Sequence, residues 1–510
     1  MPGQNSFQQP AQHSLSGRIK TGPDALLLTE VLQAQFDYEL HHYLPYYLWI
    51  EKVLLLEYER MQLLNHERVS SIGSILDQIT PDTLTANAEV NMSDMAFAIE
   101  RYVDQRLAAP VEFWHVDRSR NDLQACAQVM FGRDQVLTLI ENLLAFFQAT
   151  HHQAQKYTTV PMPGYTHYQV AQIITPGFYL AALVEHILGA ILRLLSIYDE
   201  INACPLGAGA MAGQHLAWDR ERMAHHLGFS RPQRHALVSV TSREWTLLIA
   251  NELSLLGTYL SRFATDLLLW GSSEYRYIDL PDELSGISSA MPQKKNFPVL
   301  ERIRGRSAHL SAFAIDFVLG QRNTPYTNLV ETSKEAGAYL MTLFTATRSL
   351  VSLFTGVLER ICFRQEQMLQ ACEREFIGGF ALANHLTLHY SIPYRTAQVI
   401  VGKYITRMTE LQRQPGQAES AELQALCKNC GYTIEISDKE IQAFTSTQAN
   451  LYGKQSAGST HPQMVCELLA QQEKEAEQYC HGWKDRKEKL AYALHGVQLS
   501  IAWQCEKREG

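Results

Sequence analysis

The strongest constraint on this chain is a set of long apolar segments at helical spacing. "DQVLTLIENLLAFFQATHHQAQ", "GFYLAALVEHILGAILRLLSIYDEI", "EWTLLIANELSLLGTYLSRFATDLLLW" and "GAYLMTLFTATRSLVSLFTGVLERI" each repeat apolar residues every three or four positions. Several are apolar nearly all round, which fits helices buried inside a bundle or between subunits. Strand-like alternation is scarce, with "GYTIEIS" (431–437) a weak exception. The pattern predicts an all-α protein.

With 510 residues, 46% apolar and 19% charged, the chain has a core to bury and room for two or three domains. Its net charge of −9 argues against nucleic-acid binding, which needs a basic face, but leaves room for a small anion in a local basic pocket. The polar first residues lack the apolar core of a leader, and 1–15 read as a mobile arm. The longest uncharged apolar run, Tyr168 to Val184, is broken by Pro176, Gly177 and two glutamines, so no membrane span is expected. We expect a soluble, cytoplasmic protein. Nine cysteines then read as reduced thiols. Cys427 and Cys430 form the one CxxC, and without a second ligand pair it reads as a plain loop, with no metal.

Three helical domains are expected: 1–118, with helices around Ala34–Asn65 and Asp94–Leu107; a central bundle over 119–374; and 375–510. "QRQPGQAES" reads as a loop in the last domain. The charged tail from about Lys474 reads as a surface appendage.

Four polar clusters interrupt the helices. In "DRSRNDLQACAQV", Ser119, Arg120 and Asn121 precede a helix, which is either a carboxylate seat or an N-cap with a surface ion pair. In "PMPGYTHYQVAQ", Thr166 and His167 stand on a turn before a helix, and a lone histidine is more often a bystander than a catalyst. The glycines of "CPLGAGAMAGQHLAWDRE" lack the spacing of a nucleotide loop and read as close backbone packing. "SGISSAMPQKKNFPVLERIRG" is, taken alone, a solvated basic turn.

In combination these motifs resemble argininosuccinate lyase, of the fumarase/aspartase superfamily. "RSRND", "MPGYTH", "PLGAGAMAG" and "SSAMPQKKN" occur in the family's order and spacing, and "SGRI", "DMAFAIER", "IDLPDE", "IPYRTAQVIVG" and "AGSTHPQMV" extend the match over nearly the whole chain. The resemblance implies a three-domain, all-α homotetramer with a long central helical bundle and active sites each assembled from three chains. It implies no cofactor, an N-succinyl small-molecule substrate, and fumarate as product.

By the same resemblance Ser288 abstracts the proton next to a carboxylate. Lys294 and Asn296 stabilise the doubly charged aci-carboxylate, a type of stabilisation in which one donor is worth about 3 kcal/mol. His167 protonates the departing nitrogen, with Glu301 as its partner. Ser119, Arg120, Asn121 and Thr166 bind the succinyl carboxylates, and Tyr326, Glu331 and Lys334 line the rest of the substrate. Gly286 is a hinge for loop closure.

The departures from the family cluster around the leaving amine. Gln33 replaces a serine, Ala96 a histidine and Glu331 a glutamine. Ile287 stands for the glycine beside the base, Phe297-Pro298 for Pro-Asp, and Asp117 for the glycine that opens the first motif. Two enzymatic readings follow: a divergent argininosuccinate lyase, or a lyase acting on another N-succinyl compound, with Glu331 favouring a cationic amine. A non-catalytic structural or regulatory homologue is the alternative from another class.

Overall fold

The computed structural model describes residues 22–86 and 94–506, with side chains to residue 501. The arm expected over 1–15 and the "SGRI" motif lie outside the described residues.

The amino-terminal part holds α1 (Gln33–His42), α2 (Leu44–Arg60), α3 (His66–Leu76) and α4 (Met95–Asp104). The helical stretch expected over Ala34–Asn65 is therefore two helices. They break at Tyr43, because Pro45 has no N–H to continue the ladder and disfavours α geometry before it.

Five long helices form the centre: α5 (Arg120–Lys156), α6 (Pro176–Ile201), α7 (Glu244–Trp270), α8 (Pro298–Gln321) and α9 (Leu340–Arg360). A hairpin, β1 (Met162–Thr166) and β2 (Gln169–Ile174), lies between α5 and α6. A second, β3 (Gly286–Ile287) with β4 (Lys295–Asn296), lies just before α8. Starts are marked by chemistry: Thr175 caps α6 ahead of Pro176, and Pro298 opens α8 where an N–H would be orphaned anyway.

Cross-contacts fix the helix directions. Arg133 in the first half of α5 bonds Asn202 beyond the end of α6, while Gly177 at the start of α6 lies against Ala154 near the end of α5, so those two are antiparallel. Tyr179 reaches Asp266 and Arg193 reaches Glu252, making α6 and α7 antiparallel as well. Gln321 at the end of α8 bonds Thr246 at the start of α7, so α8 runs back along α7. Gln135 pairs Arg348 while Gln153 reaches the Glu359 carbonyl, which sets α9 parallel to α5. One end of the bundle thus holds the starts of α5, α7 and α9 with the end of α8; the other holds both hairpins.

One apolar core runs from Phe36 to Ile501 and joins the amino-terminal helices to the bundle. A separate core spans Leu382 to Ile441. By length and composition α6 also passes as a membrane span, with mean hydropathy 1.9 over its best 18 residues. Here its Leu180, Leu183, Val184, Ile187, Ile191 and Leu194 are buried in the bundle, the same pattern put to a core use.

Two expectations fail. "GYTIEIS" is not a strand: Ile434 and Ile436 are buried in alternation, but no neighbouring strand pairs with them. The tail is no appendage either. It belongs to α10 (Pro462–Glu506), a 45-residue helix laid along the bundle. His151 contacts the Leu469 carbonyl, Gln472 bonds the Ala181 carbonyl, Trp483 bonds that of Leu137, and Arg486 makes two bonds to Asp199. Ile501 finally packs against Gly73 of α3, where an added Cβ would lie 2.8 Å from its Cγ2.

Candidate active site

At the first end of the bundle, Ser119 is extended (φ −135°, ψ 140°) and its Oγ accepts the Asn121 N–H at 3.2 Å. The capping reading of Ser119 is what the geometry shows. Arg120 is half-exposed, with Asp94 at 3.5 Å, and Asn121 Nδ2 donates to the Ala210 carbonyl at 3.0 Å.

Buried charge holds this helix start in place. Arg118 pairs with Glu51 in a site where both side chains are almost wholly covered. Asp117 has φ +59°, the left-handed region that suits glycine, and Asp is among the few residues that enter it readily. Its carboxylate accepts the N–H groups of Leu216 (2.7 Å), His215 (3.1 Å) and the Trp218 indole (3.1 Å). Burial pushes its acidity down, but those donors outweigh burial and its pKa falls. Asp117 therefore holds a backbone angle that suits glycine and anchors the 215–218 segment as well.

Asp122, fully buried, was missed by sequence reasoning. Its Oδ2 accepts the N–H groups of Gly207 and Gly209, both at 3.0 Å. Burial raises its pKa to about 7, against the pull of those two donors. The glycine loop is thus built onto the first turn of α5. Gly207, Gly209 and Gly213 have positive φ, and a Cβ on Gly209 would meet the Gly213 carbonyl at 2.6 Å, which is the close packing expected.

The same end carries Tyr326, Glu331 and Lys334. Gln124 and Gln128 of α5 both donate to the Ser333 carbonyl, at 3.4 and 2.7 Å. Tyr326 and Glu331 are exposed, whereas Lys334 turns inward onto buried Glu39 of α1. Burial lowers the Lys334 pKa to about 7, and the contacting carboxylate opposes that fall.

The other end carries the rest. Thr166 closes β1, and His167 (φ +52°) and Tyr168 (φ +59°) form the tip of the hairpin, all three exposed. Two successive left-handed residues are what a tight two-residue hairpin needs. The expected turn is therefore a hairpin tip, with β2 between it and α6. Tyr165 Oη meets Tyr277 Oη at 2.7 Å and ties this hairpin to the segment that leads into the serine loop.

Ser288 begins that loop. Its Oγ accepts the Met291 N–H at 3.0 Å and the Ala290 N–H at 3.4 Å. Two backbone donors aimed at one oxygen favour its anionic form. Lys294 and Lys295 differ sharply: Lys294 is exposed, while Lys295 Nζ reaches the Leu280 carbonyl (2.6 Å), Asp279 (3.2 Å) and Asp282 (3.1 Å). Asn296 Nδ2 donates to the Ile287 carbonyl at 3.4 Å, and Glu301 lies exposed in the first turn of α8. Ile287 is 92% exposed and Phe297 packs against Gly271, so neither departure crowds Ser288 within the chain.

Among the described residues, no hydrogen bond or ion pair joins His167, Ser288, Lys294 and Glu301 to one another. The candidates fall into two groups. Ser119, Arg120, Asn121, Tyr326, Glu331 and Lys334 sit at one end; Thr166, His167, Ser288, Lys294, Asn296 and Glu301 sit at the other. The 37 residues of α5 separate the ends by about 54 Å at 1.5 Å per residue.

A lyase family matches residues 43–311. Argininosuccinate lyase 1 of Shouchella clausii is 28% identical over 462 residues, covering 90% of this chain and 92% of its own. Argininosuccinate lyase of Syntrophotalea carbinolica is 28% identical over 462 residues, covering 90% and 98%. Among solved structures, an EDDS lyase variant with bound fumarate superposes with TM-score 0.82 at 24% identity, over 93% of this chain and 95% of that one. A class II fumarase from Schistosoma mansoni gives TM-score 0.65 at 14% identity, over 84% and 98%. Long central helices and the paired motif sets define a lyase of the fumarase/aspartase superfamily. The chain belongs to that lyase family, as a carbon–nitrogen lyase of the argininosuccinate lyase type.

Proposed function

We propose that the chain eliminates an amine or guanidine from an N-succinyl substrate and releases fumarate, in sites shared between subunits of a homotetramer. The observation that carries this reading is the division of the candidate residues between the two ends of α5. In such a tetramer, antiparallel copies would bring the Arg120 end of one chain to the Ser288 end of another and so join the two groups.

In that site Arg120 and Asn121 hold a succinyl carboxylate at a helix start, where the dipole and N–H groups favour an anion. Ser288 takes the proton from the adjacent carbon, its alkoxide supported by the Met291 and Ala290 N–H groups and by Lys294. His167 returns a proton to the leaving nitrogen as the C–N bond breaks. Thr166 and Asn296 add donors to the carboxylates, and Glu301 orients His167. The residues contribute acid–base chemistry and charge stabilisation, which is all that such an elimination needs.

The test is fumarate formation from argininosuccinate, followed by ultraviolet absorbance, with Ser288→Ala as the blank. Turnover lost in the variant supports the reading. Absence of turnover with argininosuccinate and with a panel of other N-succinyl amines, in both directions, would leave a non-catalytic homologue.

A further inference from the structure

The hairpin that carries His167 is held from two sides. Among the described residues no hydrogen bond or ion pair engages the His167 ring, so its place is set by the backbone beneath it. A two-stranded hairpin is marginal alone and takes its pose from what it packs against. On β1 the anchor is the contact between the Tyr165 and Tyr277 hydroxyls. On β2 it comes from the carboxy-terminal part of the chain. Val170 and Ile173 of β2 pack with Cys372, Ile377 and Leu451 in a small core separate from the two larger ones.

Lys454 completes the second anchor. Leu451 belongs to a short helix, Thr447–Tyr452, which ends at Gly453, where an added Cβ would lie 2.6 Å from the Ala449 carbonyl. Just beyond, Lys454 Nζ donates to Gln172 Oε1 of β2 at 2.7 Å, with the Phe380 ring centre 5.8 Å from the ammonium. This ammonium is half-buried and, among the described residues, pairs with no carboxylate. Burial lowers its pKa. Desolvating a cation without a counter-charge works against folding; what the chain gains is a charge-assisted hold on one amide.

The position of that amide gives the hold its meaning. Gly164 pairs with Gln172 but Tyr165 pairs with Val170, so Ala171 is an extra residue in β2. Such a bulge bends the strand and re-aims the side chains beyond it. Beyond this one lie residues 165–170, with His167 at the tip. Gln172 is the first paired residue on the base side of the bulge, so Lys454 grips β2 where the direction of the tip is set.

We propose that Lys454 is a positioning residue for His167, fixing through Gln172 the bulge that aims the hairpin tip. The assignment rests on the elimination reading for what His167 does there. It ties proton return to the leaving nitrogen to a residue of the carboxy-terminal part of the chain.

The test combines fumarate release from argininosuccinate with amide hydrogen exchange on the full-length protein. The variants are Lys454→Met, Lys454→Arg, Gln172→Leu, and the double variant of Lys454→Met with Gln172→Leu. Lys454→Met is expected to lower kcat at least tenfold with KM moved less than twofold. Lys454→Arg, which keeps a charged donor, restores most of the rate, and the double variant is no slower than the slower single one. Exchange quickens at 165–172, while the separate core from Leu382 to Ile441 keeps its protection and so reports an intact fold. Unchanged exchange at 165–172, losses that add in the double variant, or protection lost throughout the chain overturns the assignment. The two claims fail separately. Faster exchange at 165–172 in a protein without turnover keeps the brace and removes the elimination; turnover with kcat unchanged in Lys454→Met removes the positioning and keeps the elimination.

Discussion

Arg120 opens α5 and His167 lies in the hairpin beyond its other end, with a helix about 54 Å long between them. Neither the Tyr165–Tyr277 contact nor the serine loop brings His167 back, because both belong to the far end of the bundle. A single chain therefore holds its two groups of candidate residues at opposite ends of the bundle.

The adjacent lysines should separate by mechanism. Lys294→Met removes the exposed ammonium and should lower kcat by on the order of a hundredfold, with the loop still folded. Lys295→Met cuts the tie to Asp279, Asp282 and the Leu280 carbonyl, and should make residues 288–294 more sensitive to limited proteolysis. Protease mapping beside steady-state kinetics distinguishes the two; equal proteolysis in both variants contradicts the assignment.

Asp122 predicts a pH signature in stability. Burial holds its pKa at about 7, against about 4 in an unfolded chain. Between those values the folded state binds more protons than the unfolded state, so stability falls as pH rises through about 4 to 7 and levels off above. Asp122→Asn cannot titrate. Wild type should lose stability relative to this variant across that window, by up to on the order of 4 kcal/mol. Denaturant midpoints at several pH values check it, and parallel curves would contradict it.

Asp117 combines a backbone role with an anchoring one, and two substitutions divide them. Asp117→Gly keeps φ +59° accessible and loses only the three accepted bonds, whereas Asp117→Ala also meets a left-handed penalty of about 1 kcal/mol. Alanine should be the less stable variant in chemical denaturation. The reverse order would show that the angle is not enforced.

The central helices were legible because a fully buried bundle writes its periodicity into long apolar runs, as in Glu244–Trp270. The packing of α10 was harder to see. Its stripe at 465, 469, 472, 476, 479, 483, 486, 490, 493 and 497 keeps perfect three-four spacing, but Gln472 and Arg486 interrupt it and the remaining faces are charged. Counting spacing before polarity would have found it. The candidate residues were legible only through family motifs, since Ser119 and Ser288 look like an ordinary cap and an ordinary turn within one chain. The roles of Glu39, Asp122 and Lys295 depend on contacts with residues distant in sequence: Lys334, Gly207 and Asp279. No local pattern encodes those contacts.

The most direct measurement is complementation between half-sites. Arg120→Ala and Ser288→Ala chains, each inactive alone, are unfolded, mixed and refolded together, and fumarate release is compared with each refolded separately. If sites are shared between chains, some sites in the mixture receive both intact halves, and activity should rise at least tenfold above either variant alone. Should the mixture stay as inactive as its parts while wild type refolds to full activity under the same conditions, each chain must build its own site and the account is wrong.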